Sequence, residues 1–548
     1  MMKFLLLVSA VLFCGYTHAQ VQIVVDDTKQ YQTIEGFGGF GSAKPWWEAP
    51  PHYDAAYLTE TIDNLGVTFF RTQIYWDGEP SNDNPDPAVA NASGFNFGPS
   101  SDNGKQFNFI KDLSARGAKV IATVWTPPTW MKLFDDDNRR PEECYNCYQC
   151  TVGSPGTEMC GGRLNPEYYE EFAEYLAVYV KTLKEKTGVD LYAISIQNEP
   201  FFANPFESNV VMPDEYAEIL RVVGQRFRLE GLTTKFFGPE HMAEWSWGWQ
   251  AKYVNEILGD EQVKEYLDIY AVHGYVDGVS PDYGSADGWT ALHENITVAH
   301  GKPLWMTETS DFNLSGYPLA FNMTRSLYLA LKFGRISAWI YWSMYDALLD
   351  KGQLTPLGYA FRQFYRFVPV GAKVIEVSSA DASVLAIAFK HEPSGDMTVV
   401  LINNGESETN VDLTLPSTDK TLYLHRTSSG ENGKDLGVFS GSAVILPAQS
   451  INTITTVSTA SVTGVEKKSA GRFTVFPNPT NDQLKIQFPQ NGESHLITIS
   501  DHTGKTVSQF SSKGKGSIDI NTKSWAPGMY LIRISDSRGE SIHRVVIE

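Results

Sequence analysis

The chain has 548 residues, 42% of them hydrophobic, so it is too long for one ordinary domain and too apolar to be mainly disordered. Lys+Arg 44 against Asp+Glu 64 leaves a net charge of −20, which argues against nucleic acid or an anionic membrane as partner, since both need a basic face. Aromatics reach 13%, a surplus that asks for a use beyond core packing, such as stacking on flat ligand faces.

Residues 1–20 join a basic start at Lys3, an apolar run over 4–13 and the small-residue exit Thr17-His18-Ala19. This is the pattern of a secretory signal peptide, residues 1–19, cleaved after Ala19. The run is too short to cross a bilayer, and no later stretch approaches the roughly 20 apolar residues that spanning needs, so no membrane insertion is expected. Cys14, a candidate lipid anchor, follows the bulky Phe13, a poor fit to lipoprotein cleavage. Export governs the reading of the other cysteines. Cys144, Cys147, Cys150 and Cys160 form C-x2-C-x2-C-x9-C in one Gly/Pro/Tyr-rich loop. Two disulfides are expected there, with zinc held by the thiolates as the alternative.

Between residues 34 and 368 short β-branched runs alternate with helical stretches. Strands are predicted over 34–40, 67–74, 118–125, 191–197, 234–238, 269–273, 303–307 and 336–342. The clearest helix is 168–186, where Phe172, Leu176, Tyr179, Val180 and Leu183 recur at helical spacing. Eight strand–helix repeats predict an α/β fold, a (β/α)8 TIM barrel with long insertions. The rival is a doubly wound open sheet, but no G-x-G-x-x-G opens a helix after the first strand. Residues 371–457 change to period-two alternation, an antiparallel β-sandwich side domain that residues 21–33 can join. A Ser/Thr/Gly/Lys linker follows over 458–471. Residues 472–548 alternate again around turns and predict a small C-terminal β-sandwich.

The tail carries Phe473-Thr474-Val475-Phe476-Pro477-Asn478-Pro479, Asp501-His502-Thr503-Gly504-Lys505 and Gly528-Met529-Tyr530-Leu531-Ile532. In these motifs it resembles the C-terminal sorting domain of the type IX secretion system. The resemblance implies export through the periplasm of a Gram-negative host. It further implies contact with that secretion machinery, and either secretion with tail removal or attachment at the cell surface.

Barrel enzymes work at the C-terminal ends of their strands. That edge here carries Arg71, Trp125, Asn198, Glu199, Glu240, His273, Tyr275, Glu308 and Trp342. No His/Asp metal cluster, phosphate loop or G-x-S-x-G elbow converges there, so neither metal nor cofactor is expected. What remains is paired carboxylates among aromatics, the equipment for glycoside hydrolysis. A glycosidic oxygen leaves badly unless protonated, and the developing oxocarbenium charge needs a nearby anion. Asn198-Glu199-Pro200 fits the acid, with Asn198 free to bond a sugar hydroxyl, and Thr307-Glu308-Thr309 fits the anion, held ionised by Arg71. Glu240 competes for either role or forms a structural pair below the pocket. His273 reads equally as a core histidine and as a sugar contact. Trp342 is read as pocket floor. Trp245, Trp247 and Trp249 share a face if that segment is extended, making a stacking platform, with local packing the alternative.

Six motifs extend the pattern: Glu35-Gly36-Phe37-Gly38-Gly39, Trp125-Thr126-Pro127-Pro128-Thr129-Trp130-Met131-Lys132, Gly161-Gly162-Arg163-Leu164, Ala193-Ile194-Ser195-Ile196-Gln197-Asn198-Glu199-Pro200, Leu304-Trp305-Met306-Thr307-Glu308 and Tyr341-Trp342. In these the chain resembles glycoside hydrolase family 30 from about residue 21 to 458. The resemblance implies a retaining enzyme with Glu199 as acid/base and Glu308 as nucleophile. It also implies a subsite at the cut bond shaped by Arg71, Asn198, a His or Tyr after strand six (His273, Tyr275) and Trp342, with Trp125 beside it. Residues 161–200 and 305–308 look most like the family's bacterial xylanases. Those that depend on glucuronate carry an arginine just after strand eight, whereas this chain has Ser343-Met344-Tyr345-Asp346. Endo-action on xylan or a xylan-like glycan, without strict glucuronate dependence, is therefore expected of the oligo- or polysaccharide substrate. A β-1,6-glucanase or other β-glucan hydrolase is the alternative. A non-catalytic carbohydrate-binding protein is the reading from another class, and transglycosylation a third.

Overall fold

The structure is a computed structural model describing residues 20–41, 54–133, 161–200, 203, 207–243, 247–275, 286–458, 474–477, 479–488, 494–501, 505–513, 516–536 and 539–547. The expected signal peptide, the four cysteines and nearly all of the linker lie outside the described residues. Among the described residues no helix is long and apolar enough to cross a membrane.

Eight parallel strands close into a barrel: β1 (Gly36–Phe40), β2 (Phe69–Ile74), β3 (Lys119–Val124), β4 (Ala193–Ser195), β5 (Lys235–Met242), β6 (Ile269–Gly274), β7 (Leu304–Thr309) and β8 (Ala338–Tyr341), with β8 pairing back onto β1. Closure removes the open-sheet rival. Each strand is buried on both faces, as parallel strands under a helical coat must be. Phe69, Ile121, Ala193, Phe237, Ile269, Ala271, Trp305, Ala338 and Ile340 fill the barrel interior as one cluster. The alternate residues, such as Phe70, Val120, Ile194 and Met306, belong to the larger core that reaches the helices.

The helix Tyr169–Thr187 shows why the helical coat forms where it does. Its first turn carries Glu170 and Glu171 and its last Lys184 and Lys186, matching the helix dipole. It stops at Gly188, whose φ of 77° suits the left-handed cap.

Beside the barrel lies one curled nine-stranded sheet, almost wholly antiparallel. The N-terminal strand Val21–Thr33 is part of it, antiparallel to Lys373–Ser379 and parallel to Thr409–Thr414. Residues 458–548 form a separate compact unit. Its three- and four-stranded sheets enclose Leu484, Ile486, Ile497, Ile499, Ile532, Ile534 and Val545.

Candidate active site

The C-terminal mouth of the barrel gathers the predicted polar residues around one guanidinium. Arg71, the third residue of β2, is fully buried. Its Nη1 donates to Glu308 Oε2 at 2.5 Å, its Nη2 to Asn198 Oδ1 at 2.6 Å, and its Nε to Thr123 Oγ1 at 3.1 Å. The same Nη2 lies 3.0 Å from Glu240 Oε1. Three sides of the fork are thereby assigned, and the planar group cannot rotate.

Local backbone features aim the carboxylates. Asn198 N donates to Val124 O at 2.7 Å, tying the chain after β4 to β3. The next residue, Glu199, sits at φ 40°, a left-handed conformation that costs a non-glycine residue energy and recurs at functional sites. Glu240 is likewise left-handed at φ 62°, where the β5–β6 register shifts between Pro239 and His241. On β7 the register to β6 shifts between Met306 and Glu308, so that Glu308 pairs with His273. Such bulges re-aim a side chain against the strand's alternation.

His273 Nδ1 lies 2.9 Å from Glu199 Oε1 and its Nε2 lies 3.1 Å from Glu240 Oε1. Tyr275 donates its hydroxyl to Glu308 Oε1. Glu199, His273 and Glu308 each present an atom within 4.8 Å of the others. A metal ion there would face the Arg71 guanidinium, already against Glu308.

Electrostatics separate the carboxyl groups. Burial, with the adjacent Glu308 adding to it, pushes Glu199 up to about 6. Burial acts on Glu240 in the same sense but is outweighed by Arg71 and His273, which hold it at about 2. Burial disfavours the His273 cation, yet Glu308, Glu199 and Glu240 together lift the ring to about 9. His273 is therefore protonated at neutral pH, and both its nitrogens donate. Burial followed by Glu308 keeps Tyr275 far above its ordinary value, so it remains a donor. Below about pH 6, where Glu199 holds its proton, the Arg71 and His273 cations both face the Glu240 anion.

Trp125 and Trp342 complete the mouth. Arg71 sits 4.6 Å over the Trp125 ring, and Trp125 and Trp342 lie 6.3 Å apart. Phe40, which the sequence reading passed over, stacks on Trp342 at 4.4 Å. Its position as the last residue of β1 was the available signal. Thr123 was also missed, because a threonine inside a β-branched strand carries no mark of its own. Phe312, three-quarters exposed, stacks on Tyr275 at 5.4 Å. Glu240, fully buried, is engaged by Arg71 and His273. The segment Trp247–Leu258 is a helix rather than extended chain. Trp245 and the side chains of Trp247 and Trp249 lie outside the described residues.

Two carboxyl groups with oxygens within 4.8 Å of each other, one with its pKa raised by burial and one against an arginine, fit the equipment of a retaining glycoside hydrolase, whose carboxyl groups lie about 5–5.5 Å apart. Residues 371–454 match the glycosyl hydrolase family 30 beta sandwich domain, and residues 474–548 match the secretion system C-terminal sorting domain. The chain is 27% identical over 367 residues to a glucuronoxylanase, XynC, of Bacillus subtilis, covering 64% of this chain and 76% of that protein. It is 19% identical over 455 residues to the lysosomal acid glucosylceramidase of Mus musculus, covering 74% and 81%. Its fold is similar to that of a family 30 endoxylanase from Clostridium papyrosolvens, with a TM-score of 0.60, 24% identity, and 79% and 99% of the two chains covered. The chain thus carries a family 30 beta sandwich domain over residues 371–454 and a type IX secretion sorting domain over residues 474–548, following a barrel of the same fold as the family 30 endoxylanase. It is an enzyme that cleaves O-glycosidic bonds in a β-linked polysaccharide or glycolipid. The sorting domain marks it for secretion or surface attachment of the Gram-negative, Bacteroidetes type.

Proposed function

We propose that the enzyme is an endo-acting hydrolase of xylan or a xylan-like glycan, without strict dependence on glucuronate, in which Glu199 is the acid/base and Glu308 the nucleophile. In the first step Glu308 attacks the anomeric carbon while Glu199 gives its proton to the departing glycosidic oxygen. The bond to the leaving sugar breaks and a glycosyl ester of Glu308 forms. In the second step Glu199, now a carboxylate, takes a proton from water as that water attacks the same carbon and releases Glu308. Arg71 and Tyr275 hold the two Glu308 oxygens in place, and Asn198 and Trp342 contact the sugar at the cut bond.

The observation that carries this reading is the pairing of Glu199 and Glu308, with oxygens within 4.8 Å, at the mouth of the barrel. Similarity to a glucuronoxylanase supports a xylan backbone as substrate. Ser343-Met344-Tyr345-Asp346, with no arginine, supports independence from the acidic side group. A screen on xylan, glucuronoxylan, β-1,6-glucan, β-1,3-glucan and β-mannan, with product sizes read by chromatography, tests the substrate. A ladder of xylo-oligosaccharides, formed equally from substituted and unsubstituted xylan, is expected. Release from a glucan alone, or only where glucuronate is present, would overturn it. The residue roles are tested by Glu308→Ala and Glu199→Ala. Both should lose most activity, with azide rescuing the former as a glycosyl azide of inverted configuration.

A further inference from the structure

A second group of acids lies away from the catalytic pair. The segment following β2 passes against the helix Tyr169–Thr187, and there Asp83, Glu171 and Glu174 each bring a carboxylate oxygen within 4.8 Å of the others. Glu171 and Glu174 are three apart on one helix and so share a face. Glu79 joins them, its Oε1 accepting from Asp83 N at 3.4 Å. Glu79 and Glu174 are 0% exposed and Glu171 is 5%.

The partners do not satisfy the group. Asn82 Nδ2 donates to Glu171 Oε1 at 3.2 Å, and Asn91 N donates to Asp83 Oδ2. Arg226 Nη2 comes no nearer than 3.8 Å to Glu174 Oε1, because that guanidinium already donates to Glu230 and to Pro87 O. Apart from each other's carboxyl, which Glu171 and Glu174 can bond only by sharing a proton, neither oxygen of Glu174 has a hydrogen-bond partner, nor has Glu79 Oε2, Glu171 Oε2 or Asp83 Oδ1. Three buried carboxyls and the half-buried Asp83, facing one preoccupied arginine, cannot all be anions without a further positive charge.

We propose that Asp83, Glu171 and Glu174, with Glu79 beside them, bind one calcium ion. The available donors are oxygens, which excludes a soft-metal site and suits a hard cation. Calcium tolerates irregular cages of protein carboxylates, whereas magnesium demands near-octahedral geometry and keeps several waters. The competing way to relieve the repulsion is protonation. Ion and protons therefore compete, and the ion gains as pH rises. The ion ties the β2 loop to the helix. Glu79 O accepts from Trp130 Nε1 at 3.0 Å, and Trp130 follows Trp125 in the chain leaving β3, so the bound ion stiffens one wall of the cleft.

The test is calorimetry on the full secreted chain at pH 8. Protein is stripped with a chelator, dialysed, and scanned alone or with about 5 mM calcium or magnesium chloride, above the 10⁻⁴–10⁻³ M range of extracellular sites. Calcium should raise Tm by about 3 °C or more if its concentration is about 100 times Kd, and magnesium should raise it less. Equilibrium dialysis with radioactive calcium should find one ion per chain. In the double variant Glu171→Gln, Glu174→Gln both signals should vanish while the calcium-free Tm at pH 8 matches or exceeds that of the parent. Asp83→Asn serves as a second variant, losing calcium binding with its fold intact. No calcium uptake by the parent, or an equal calcium shift in the variants, would overturn the site. An equal magnesium shift would overturn the choice of ion.

Discussion

Arg71 Nη1 and Glu308 Oε2 meet at 2.5 Å with neither side chain open to bulk water: the guanidinium is 0% exposed and the carboxylate 6%. The arginine also holds Asn198 and Glu240, so one residue sets the positions of groups borne on three other strands or strand ends. Removing it leaves two buried anions facing each other without their shared cation. Arg71→Met is expected to lose about 3–5 kcal/mol of stability, the usual cost of breaking a buried pair. Urea unfolding measures this, and a variant within 1 kcal/mol of the parent would show that the pair is not a keystone.

The acid limb and the base limb of catalysis separate by pH. Glu199 is raised to about 6, so it carries its proton below that value and loses it above. Since the first step needs that proton, kcat/KM should fall roughly tenfold per pH unit above about pH 6. Glu199→Gln, assayed on an aryl glycoside whose leaving group needs no protonation, should lose this alkaline limb. A parent profile flat to pH 8 contradicts the assignment.

Tyr275 aims its hydroxyl at the Glu308 oxygen that Arg71 does not hold. A hydrogen bond to a charged group contributes about 1.5–3 kcal/mol. Tyr275→Phe should therefore lower kcat/KM by about 10- to 100-fold, as each 1.36 kcal/mol is a factor of ten. Steady-state kinetics give the figure. Unchanged kinetics would mean that Glu308 is oriented by Arg71 alone.

Gly38 lies on β1, paired with Phe69 on β2. A Cβ there would stand 1.7 Å from the carbonyl oxygen of Phe69, its partner on β2. Because backbone must move, Gly38→Ala should cost about 1–3 kcal/mol or more. Gly98→Ala, where an added Cβ meets nothing within 4 Å, should be neutral to within about 0.5 kcal/mol. Equal unfolding midpoints for the two variants would contradict this account.

Several parts of the site were legible from residue order alone, because a parallel barrel strand is a short β-branched run and its last residue faces the mouth. Trp125, Asn198, Glu199, His273, Tyr275, Glu308 and Trp342 stand at or just past such ends, and the fold brings them together around Arg71, which sits in mid-strand on β2. Thr123 and the stacking of Phe40 on Trp342 were not legible, since nothing in a strand's composition reveals which neighbour it will face. The ambiguity of Glu240 had the same origin. Its carboxylate meets Arg71 and His273 only because the β5 register shifts beside it, and a bulge leaves no fixed trace in one sequence.

Local chemistry by itself determined the eight strand–helix repeats, the change to period-two alternation after them, and the residue types at each strand end, because these depend on neighbours a few positions away. Which carboxyl keeps its proton was decided by the tertiary structure alone. The difference between Glu199 and Glu240 comes from burial set against Arg71 and His273, and those charges arrive from other strands only when the barrel closes. The acids between the β2 loop and its facing helix follow the same logic, being ordinary surface residues in sequence and a buried, repelling group once folded.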